Sequence, residues 1–458
     1  MNDASCLNRT PIYGVVRVSS VEDVSKALAF AREHHLKVSS AGRRHSMGGQ
    51  AFCRGGLVLD MRGLNTISVD RANHVMTVQA GATWAEVQQC LDGLGLSAKA
   101  MQSINIFTVG GTLSVNAHGV AHRPGSVAPT VKAIHIMLSN GEIKRASREE
   151  NSELFRHALG GYGLFGVILD AEIEVVDNEM YRQEIKYIDY RQFNDLYQSS
   201  IRGDDQTGLI YARLSVSPSP YLREVAVHRF LPEPVTAPLP PLQPDRLTTL
   251  TRFVLNLSKT GKIGRWLRWE VERRVSTSLD SCATRNQGLA ADKSCDVTRN
   301  QEMHDSMGYL SSRLNDTNIL QEYFIPAGMM TQFVDGMRDI VTANDANLIN
   351  VTIRAVQADR VTALPYAKQD ALGFVLYFNQ DLTPADCERL QATTIALIDL
   401  ATRLQGRFYL PYQLYYTREQ LLAAYPEATD FFAAKQDYDR IGLFSNQFYE
   451  KYGALTAQ

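Results

Sequence analysis

The sequence predicts an α+β protein built from two domains, and three observations lead to that prediction. The chain has 458 residues, which is more than one average domain needs. Its first 178 residues alternate short β-branched runs with amphipathic stretches that begin at capping residues. Later strand patterns precede a long helical stretch, an order typical of an antiparallel sheet covered by helices. We therefore expect domains over residues 1–178 and 179–430, followed by a terminal segment over 431–458.

The individual elements follow from capping residues and alternation. Ser20 with Asp23, and Thr83 with Glu86, have the spacing of capping boxes, so each predicts the start of a helix. The first of these helices should end near residue 34, and further helices are expected over residues 151–159 and 384–404. Strands are expected over residues 14–18, 37–40, 57–61, 75–80, 168–176, 319–325, 348–356 and 373–378. A proline-rich stretch at 232–244 predicts a surface connector.

Composition excludes several classes of function. A net charge of −2, without a basic stripe, gives no indication of nucleic-acid binding. The six cysteines have neither CxxC pairs nor metal-ligand spacing, so neither a disulfide framework nor a metal site is expected. The sequence has no leader with a basic and an apolar region, and no apolar run long enough to span a bilayer. A cytoplasmic protein is therefore expected.

The most informative stretch is the loop at residues 41–50, called here the 41–50 loop. Its glycines allow backbone N–H groups to approach a ligand closely, and its arginines offer forked donors to phosphate oxygens. An imidazole lies in the middle. Such a loop suits a cofactor with a pyrophosphate and a nearby electrophilic carbon, as in FAD. The predicted cofactor-binding residues here are Ala41, Gly42, Arg43, Arg44, His45, Ser46, Met47 and Gly48.

A second cluster of glycines and hydroxyls spans residues 103–119, and Gly125 and Ser126 extend it. A polar surface of this kind suits a flat heteroaromatic ring with several acceptor atoms. The alternative is a glycine-rich loop that serves only for tight turning. The predicted cofactor-binding residues of this second cluster are Ser103, Thr108, Gly110, Gly111, Ser114, Asn116, His118, Gly119 and Ser126.

The stretch Gly161–Gly166 satisfies G-x-G-x-x-G but is not expected to bind a dinucleotide. That fingerprint must follow a strand and open a helix, whereas here a helix is predicted before it and a strand after it. Val167 and Ile168 at the start of that strand could still present backbone groups to a cofactor.

Together these motifs resemble the vanillyl-alcohol-oxidase, or FAD-binding PCMH-type, flavoprotein superfamily. The branch of aldonolactone oxidases, alditol oxidases and decaprenylphosphoryl-ribose oxidase is the most similar. The 41–50 loop, the second cluster, residues 160–168 and the terminal stretch 442–449 carry the resemblance. It implies a PCMH-type FAD-binding domain of two subdomains. It also implies that the terminal segment, with Asn446, returns to hold FAD, and that the middle domain caps the flavin and forms the substrate pocket.

The resemblance implies a covalent flavin. In sugar-oxidising members whose loop carries a histidine, that residue bonds to the 8α-methyl group of the flavin, and His45 falls on that position. The alternative is a histidine that only hydrogen-bonds phosphate. A second, cysteinyl link is not expected, because Ile106 stands about where that cysteine would be.

The resemblance also implies the substrate wall. Arg354 falls where polyol-oxidising relatives carry a cation beside the substrate, and Thr352 points to the same side of the strand. Strands over 373–379 and 407–414 should then place Tyr377, Asn379, Tyr412 and Gln413 near the pocket. Relatives have a lysine near residues 412–413 that this chain lacks, so the proton acceptor stays open. His118 could be a base or a packed turn histidine.

The expected reaction is oxidation of a CH–OH group of a sugar, polyol, lactone or hydroxylated metabolite, with reoxidation by molecular oxygen to hydrogen peroxide. The alternatives are a dehydrogenase with a quinone or protein acceptor, an oxidative cyclase of a biosynthetic intermediate, and a flavin-free scaffold. A basic, tryptophan-bearing segment at 259–274 could touch an anionic membrane, but a solvated helix with its tryptophans packed inward is favoured.

Overall fold

The computed structural model describes residues 1–234, 239–242, 256–259, 261–278, 296–303 and 315–453. Within these ranges the chain forms three β-sheets with associated helices, which confirms the α+β prediction. The strands are β1 Gly14–Arg17, β2 Val38–Ala41, β3 Leu57–Asp60, β4 Ile67–Asp70, β5 Val75–Gln79, β6 Leu96–Ala98, β7 Val131–Met137, β8 Ile143–Ser147, β9 Val167–Asp177, β10 Met180–Asp189, β11 Leu209–Leu214, β12 Glu224–Glu233, β13 Asp296–Thr298, β14 Asp316–Pro326, β15 Leu348–Val356, β16 Ala371–Asp381 and β17 Arg407–Phe408.

Several helices begin at a residue whose side chain caps them. Ser20 and Thr83 both form complete capping boxes, as their spacing predicts. The helices are α1 Val21–Glu33, α2 Trp84–Asp92, α3 Val109–Val115, α4 Ser152–Ala158, α5 Phe193–Ser200, α6 Lys262–Ser278, α7 Met330–Ala343, α8 Pro384–Arg403, α9 Arg418–Ala424, α10 Ala428–Tyr438 and α11 Gln447–Tyr452. In the described ranges, no helix is long and apolar enough to cross a membrane. The acidic, histidine and cysteine side chains of the described ranges form no group of three that could hold a metal ion.

Two small sheets come from the first 177 residues. The first is parallel, in the order β1-β3-β2, and α1 packs on it through buried residues such as Val24 and Leu28. The second has the order β4-β5-β9-β7-β8, with β6 paired to β9. The G-x-G-x-x-G stretch lies between α4 and β9, so the order helix–loop–strand is that predicted, and the loop opens no helix.

The large sheet has eight strands in the order β13-β10-β12-β11-β15-β16-β14-β17, and all of its paired strands are antiparallel. Helices cover one of its faces: Phe333 of α7 packs 4.9 Å from Phe374 and 5.8 Å from Tyr323, measured between ring centroids. The neighbouring residue Phe324 points to the other face, where its ring lies 5.2 Å from that of His118. The second cluster therefore lies against the face that the helices leave open.

The terminal segment packs on the first sheet. Val38 N donates to Leu443 O at 2.8 Å, and Ser445 N donates to Val38 O at 3.0 Å. A fully buried ion pair between Lys435 and Asp439 supports this segment, because Asp439 also accepts from the N–H groups that follow it at 443 and 444. This packing brings residues 442–449 next to the end of β2, where the 41–50 loop begins.

Two sequence predictions are wrong in detail. The strand predicted over residues 407–414 ends at Phe408. Its continuation pairs instead with the 41–50 loop, because Leu410 O accepts from Gln50 Nε2 at 2.8 Å and Pro411 O accepts from Met47 N at 2.7 Å. Proline also has no N–H to donate to a sheet.

The second wrong prediction is that both tryptophans of residues 259–274 pack inward. Trp269 does so, but Trp266 is exposed. The proline-rich connector at 232–244 lies only partly within the described residues.

Candidate active site

The 41–50 loop is pressed between the second cluster and the chain at residues 410–412. A Cβ atom on Gly42 would come within 2.0 Å of Thr108 Oγ1, and one on Gly48 within 2.4 Å of Tyr412 O. Arg44 adopts a positive φ of 58°, so the loop turns sharply in its middle. These close approaches bring the two predicted cofactor-binding stretches together, although some sixty residues separate them in sequence.

His45 lies where those two stretches meet. Its ring centroid is 4.7 Å from that of Phe107, the residue before Thr108. Ser46 and Met47 continue the loop toward the large sheet, where Leu320 N lies 3.4 Å from Met47 Sδ. The loop carrying His45 thus touches both the second cluster and the sheet expected to form the substrate wall.

The N-terminal residues, which no sequence motif singled out, pack on the 41–50 loop. Ala4 N donates to Arg44 O at 3.1 Å, Gly49 N donates to Asp3 Oδ2 at 3.0 Å, and Asn8 Nδ2 donates to Met47 O at 2.8 Å. Burial raises the pKa of the Asp3 carboxyl, while its hydrogen bonds oppose that rise. These bonds tie the 41–50 loop to the N-terminal residues.

The second cluster forms α3 and the turn after it. Thr108 caps the helix, Gly110 and Gly111 lie in its first turn, and Ser114 Oγ donates to Gly110 O at 2.7 Å. Asn116 ends the helix with a φ of 49° and bonds through its side chain to Ala128 N and Asp359. The Asn116 side chain is therefore committed to holding the turn, and its backbone is engaged as well: its N–H donates to Leu113 O, and its carbonyl accepts from the Tyr366 hydroxyl.

A small cavity is lined by part of the second cluster, including Thr112, His118, Gly119 and Ser126. Two buried polar atoms of its lining residues, Gln102 Nε2 and His118 Nδ1, have no hydrogen-bond partner among the described residues. A buried donor without a partner costs free energy, so it indicates a group that binds there. This donor set fits the acceptor-bearing ring of FAD, the cofactor predicted from the sequence.

The open face of the large sheet carries a row of polar side chains. The strand register places Glu322 of β14 opposite Val375 of β16. Val375 in turn lies opposite Thr352 of β15, and Thr352 is paired with Arg213 of β11. Arg354 lies two residues beyond Thr352 and so points to the same face, as predicted from the alternation.

Glu322 joins the two predicted sites, yet sequence reasoning missed it. One of its carboxylate oxygens lies 2.7 Å from His118 Nε2, and the other accepts a 2.5 Å hydrogen bond from the Tyr412 hydroxyl. The side chains of His118 and Glu322 are only 4% and 9% exposed. Burial and the nearby charge of Glu322 raise the pKa of Tyr412 far above its usual value, so the phenol stays protonated and acts as a donor.

Arg354 is held from two sides. Its Nη2 donates to Ser103 Oγ of the second cluster at 2.5 Å, and its guanidinium lies 5.4 Å from the centroid of the Tyr211 ring. Thr352 Oγ1 accepts from Asn350 Nδ2 at 3.0 Å. The guanidinium therefore has a fixed orientation at the junction of the second cluster and the large sheet.

Other predicted residues are engaged elsewhere. Gln413 Nε2 donates to Ser5 Oγ at 2.8 Å, and Asn379 of β16 donates to Asp316 and Asn318 on the neighbouring strand β14. Val167 and Ile168 have buried side chains in β9. Asn446 caps α11 and donates to Tyr162 O at 2.8 Å, which ties the terminal segment to the loop before β9.

Comparison with known proteins agrees with this arrangement. Residues 12–147 match the model of a family described as an FAD binding domain. Cytokinin dehydrogenase 2 of Arabidopsis thaliana is 31% identical over 204 residues, which cover 43% of this chain and 40% of that protein. L-gulonolactone oxidase of Bos taurus is 31% identical over 159 residues, covering 34% and 36%. A putative D-arabinono-1,4-lactone oxidase of Neurospora crassa is 30% identical over 162 residues, covering 35% and 29%.

The chain spans about two fifths or less of the length of these curated relatives. The matched family model includes the 41–50 loop and the second cluster, the two stretches that the fold brings together. These matches support the FAD-binding PCMH-type, or vanillyl-alcohol-oxidase, flavoprotein superfamily that the sequence motifs resemble.

Proposed function

We propose that this protein is an FAD-dependent oxidoreductase that oxidises a CH–OH carbon of a sugar, polyol, lactone or hydroxylated metabolite, with oxygen as the electron acceptor. One observation carries the proposal. A carboxylate, Glu322, and a guanidinium, Arg354, lie on the same face of the large sheet, and both bond to the second cluster of the FAD-binding domain. An alcohol held there would have an acceptor for its proton and a cation for its oxygen.

The residues that would hold FAD are those of the 41–50 loop and the second cluster. The arginines of the loop and its glycine N–H groups suit the pyrophosphate, and Gln102 Nε2 offers a donor beside His118 and Gly119. When bound, FAD supplies a ring that accepts the hydride from the substrate carbon.

Three side chains would take part in removing the proton of the alcohol. Glu322 accepts it, as the O–H bond of the substrate breaks and a new O–H bond forms on the carboxylate. Tyr412 keeps its own proton and donates to the other carboxylate oxygen, so it fixes the orientation of Glu322. His118 Nε2 lies at hydrogen-bond distance from the carboxylate oxygen that Tyr412 does not contact, so it also helps to fix the orientation of Glu322.

The relatives support this reaction and one alternative. Two are named lactone oxidases, which favours a CH–OH substrate and oxygen. A third is named a dehydrogenase, which favours a different electron acceptor on the same scaffold. The second candidate function is therefore a dehydrogenase that passes electrons to a quinone or a protein.

The test of the reaction is spectroscopic. Purified yellow protein is mixed without oxygen with a panel of aldonolactones, alditols and hydroxylated metabolites, and we expect one class to bleach the flavin absorbance. Admitting air should restore the colour and release one peroxide per turnover. Bleaching with only slow recovery in air would favour the dehydrogenase, and a purified protein that binds no FAD would overturn both candidates.

We further propose that FAD is attached through His45. After acid precipitation, the pellet of the wild-type protein should stay yellow, and the pellet of His45→Ala should be colourless. His157→Ala is a suitable control, because that histidine lies on α4, outside the 41–50 loop and the second cluster. Colour that moves to the supernatant for the wild-type protein would contradict the covalent bond but leave FAD binding intact.

A further inference from the structure

Helix α6 lies outside the candidate active site, and its faces differ from those of an ordinary surface helix. Surface helices usually turn an apolar stripe to the core and charged residues to solvent. The side chains of α6 are described as far as residue 274, and over that length an arginine is buried beside Trp269 while three large apolar side chains are exposed.

The inward face holds the helix through polar contacts. Arg268 is buried and donates to Ile349 O at 3.0 Å and to Glu272 at 2.9 Å. The indole N–H of Trp269 donates to Glu224 at 2.9 Å. These bonds fix the helix to the start of β15 and to β12, so its rotation about its axis is determined.

The outward face carries three large apolar side chains. Ile263 is 80% exposed, Trp266 46% and Leu267 39%. Their spacing of three and four residues places them side by side on one patch of the helix surface. A contiguous apolar patch on an exposed helix indicates an interaction site, whereas singly scattered apolar residues do not.

Cations surround this patch. The outward arc also includes Lys262, Arg273 and Arg274, against one carboxylate, Glu270. Arg273 lies 3.4 Å from Glu224 and Arg274 3.7 Å from Glu270, yet the two arginine side chains remain 48% and 78% exposed. The patch is thus positive on a chain whose net charge is −2.

We propose that the outward face of α6 docks onto an anionic lipid membrane, with Ile263, Trp266 and Leu267 at the level of the headgroups. Tryptophan with aliphatic neighbours is the combination favoured at that interface, and lysine and arginine add attraction to anionic lipids. The protein would bind the membrane peripherally, through this face. The proposal is independent of the reaction proposed above.

The experiment is flotation of the full-length holoprotein with vesicles of phosphatidylcholine alone or mixed with phosphatidylglycerol. We expect binding to the anionic vesicles only, weakened by salt. Replacing Ile263, Trp266 and Leu267 together by serine should weaken binding about tenfold or more, and Arg273→Gln with Arg274→Gln should do the same. Trp84 and Trp269 are buried, so a blue shift of tryptophan fluorescence on binding should report on Trp266.

Ile441→Ser is the matched control, since Ile441 is 59% exposed outside α6. Retained binding in this variant, with loss in the α6 variants and unchanged flavin content in all, would support the proposal. Equal binding by wild-type and α6 variants, or no preference for anionic vesicles, would overturn it. Self-association that the α6 variants abolish, without vesicle binding by the wild type, would also overturn it and indicate a second copy of the chain.

Discussion

Glu322→Gln is expected to lower kcat by about 10²–10⁴-fold, because it removes the group that accepts the substrate proton. The substitution is nearly isosteric. Its amide oxygen can still accept from Tyr412, and His118 can move its proton to Nδ1 and accept from the new amide. The fold and the flavin should therefore be retained, and the loss should appear in the chemical step. Stopped-flow measurement of anaerobic flavin reduction isolates that step.

A matched variant separates a proton acceptor from a structural residue. Gln321→Ala is the matched control, because Gln321 points to the opposite face and bonds to Thr394. It should lower thermal stability without changing kcat. A Glu322→Gln enzyme within a few-fold of the wild-type rate would contradict the assigned role.

The site was predictable where its chemistry is local in sequence. The glycines and arginines of the 41–50 loop could be recognised as cofactor-binding candidates from their residue types alone. The same holds for the hydroxyl-bearing residues of the second cluster. Thr352 and Arg354 could be placed on one face from strand alternation alone. The G-x-G-x-x-G stretch could be rejected from the order of its neighbouring elements.

Glu322 could not be found in this way. It sits in a strand of mostly apolar residues, and its partner His118 lies 204 residues earlier in the chain. Only the register of β14 in the large sheet, and the packing of that sheet on the second cluster, make it significant. The one available signal was a glutamate at a buried strand position, which is rare unless the charge has a partner.

Gln413 and Trp266 illustrate a second limit, since both predictions depended on how a segment ends or packs. The strand expected to carry Gln413 ends early, because the 41–50 loop takes the carbonyls of Leu410 and Pro411. The periodicity of α6 locates an apolar face but does not say that the inward contacts will be polar. In both cases tertiary contacts override a local pattern.

Arg354→Ala is expected to lower kcat/KM by about 10²–10³-fold, because a preorganised cation beside the substrate oxygen is lost. Arg354→Lys should recover only part of that loss. Lysine keeps the charge but lacks the planar fork that can bond to Ser103 while stacking on Tyr211 and still present a donor to substrate. Separate kcat and KM values, measured by peroxide release, show whether the loss lies in binding or in the chemical step.

The control for this prediction is Ser103→Ala, which removes one hydrogen bond from the guanidinium and leaves its charge and its stacking. We expect this variant to lose only a few-fold in kcat/KM. Added guanidinium ion should partly restore Arg354→Ala and leave Arg354→Lys unchanged, a response that a purely structural arginine would not give. An Arg354→Lys enzyme equal to the wild type would mean that charge alone matters at this position. An Arg354→Ala enzyme within about threefold of the wild type would remove Arg354 from the substrate wall, leaving Glu322, oriented by Tyr412, as the polar group that meets the substrate.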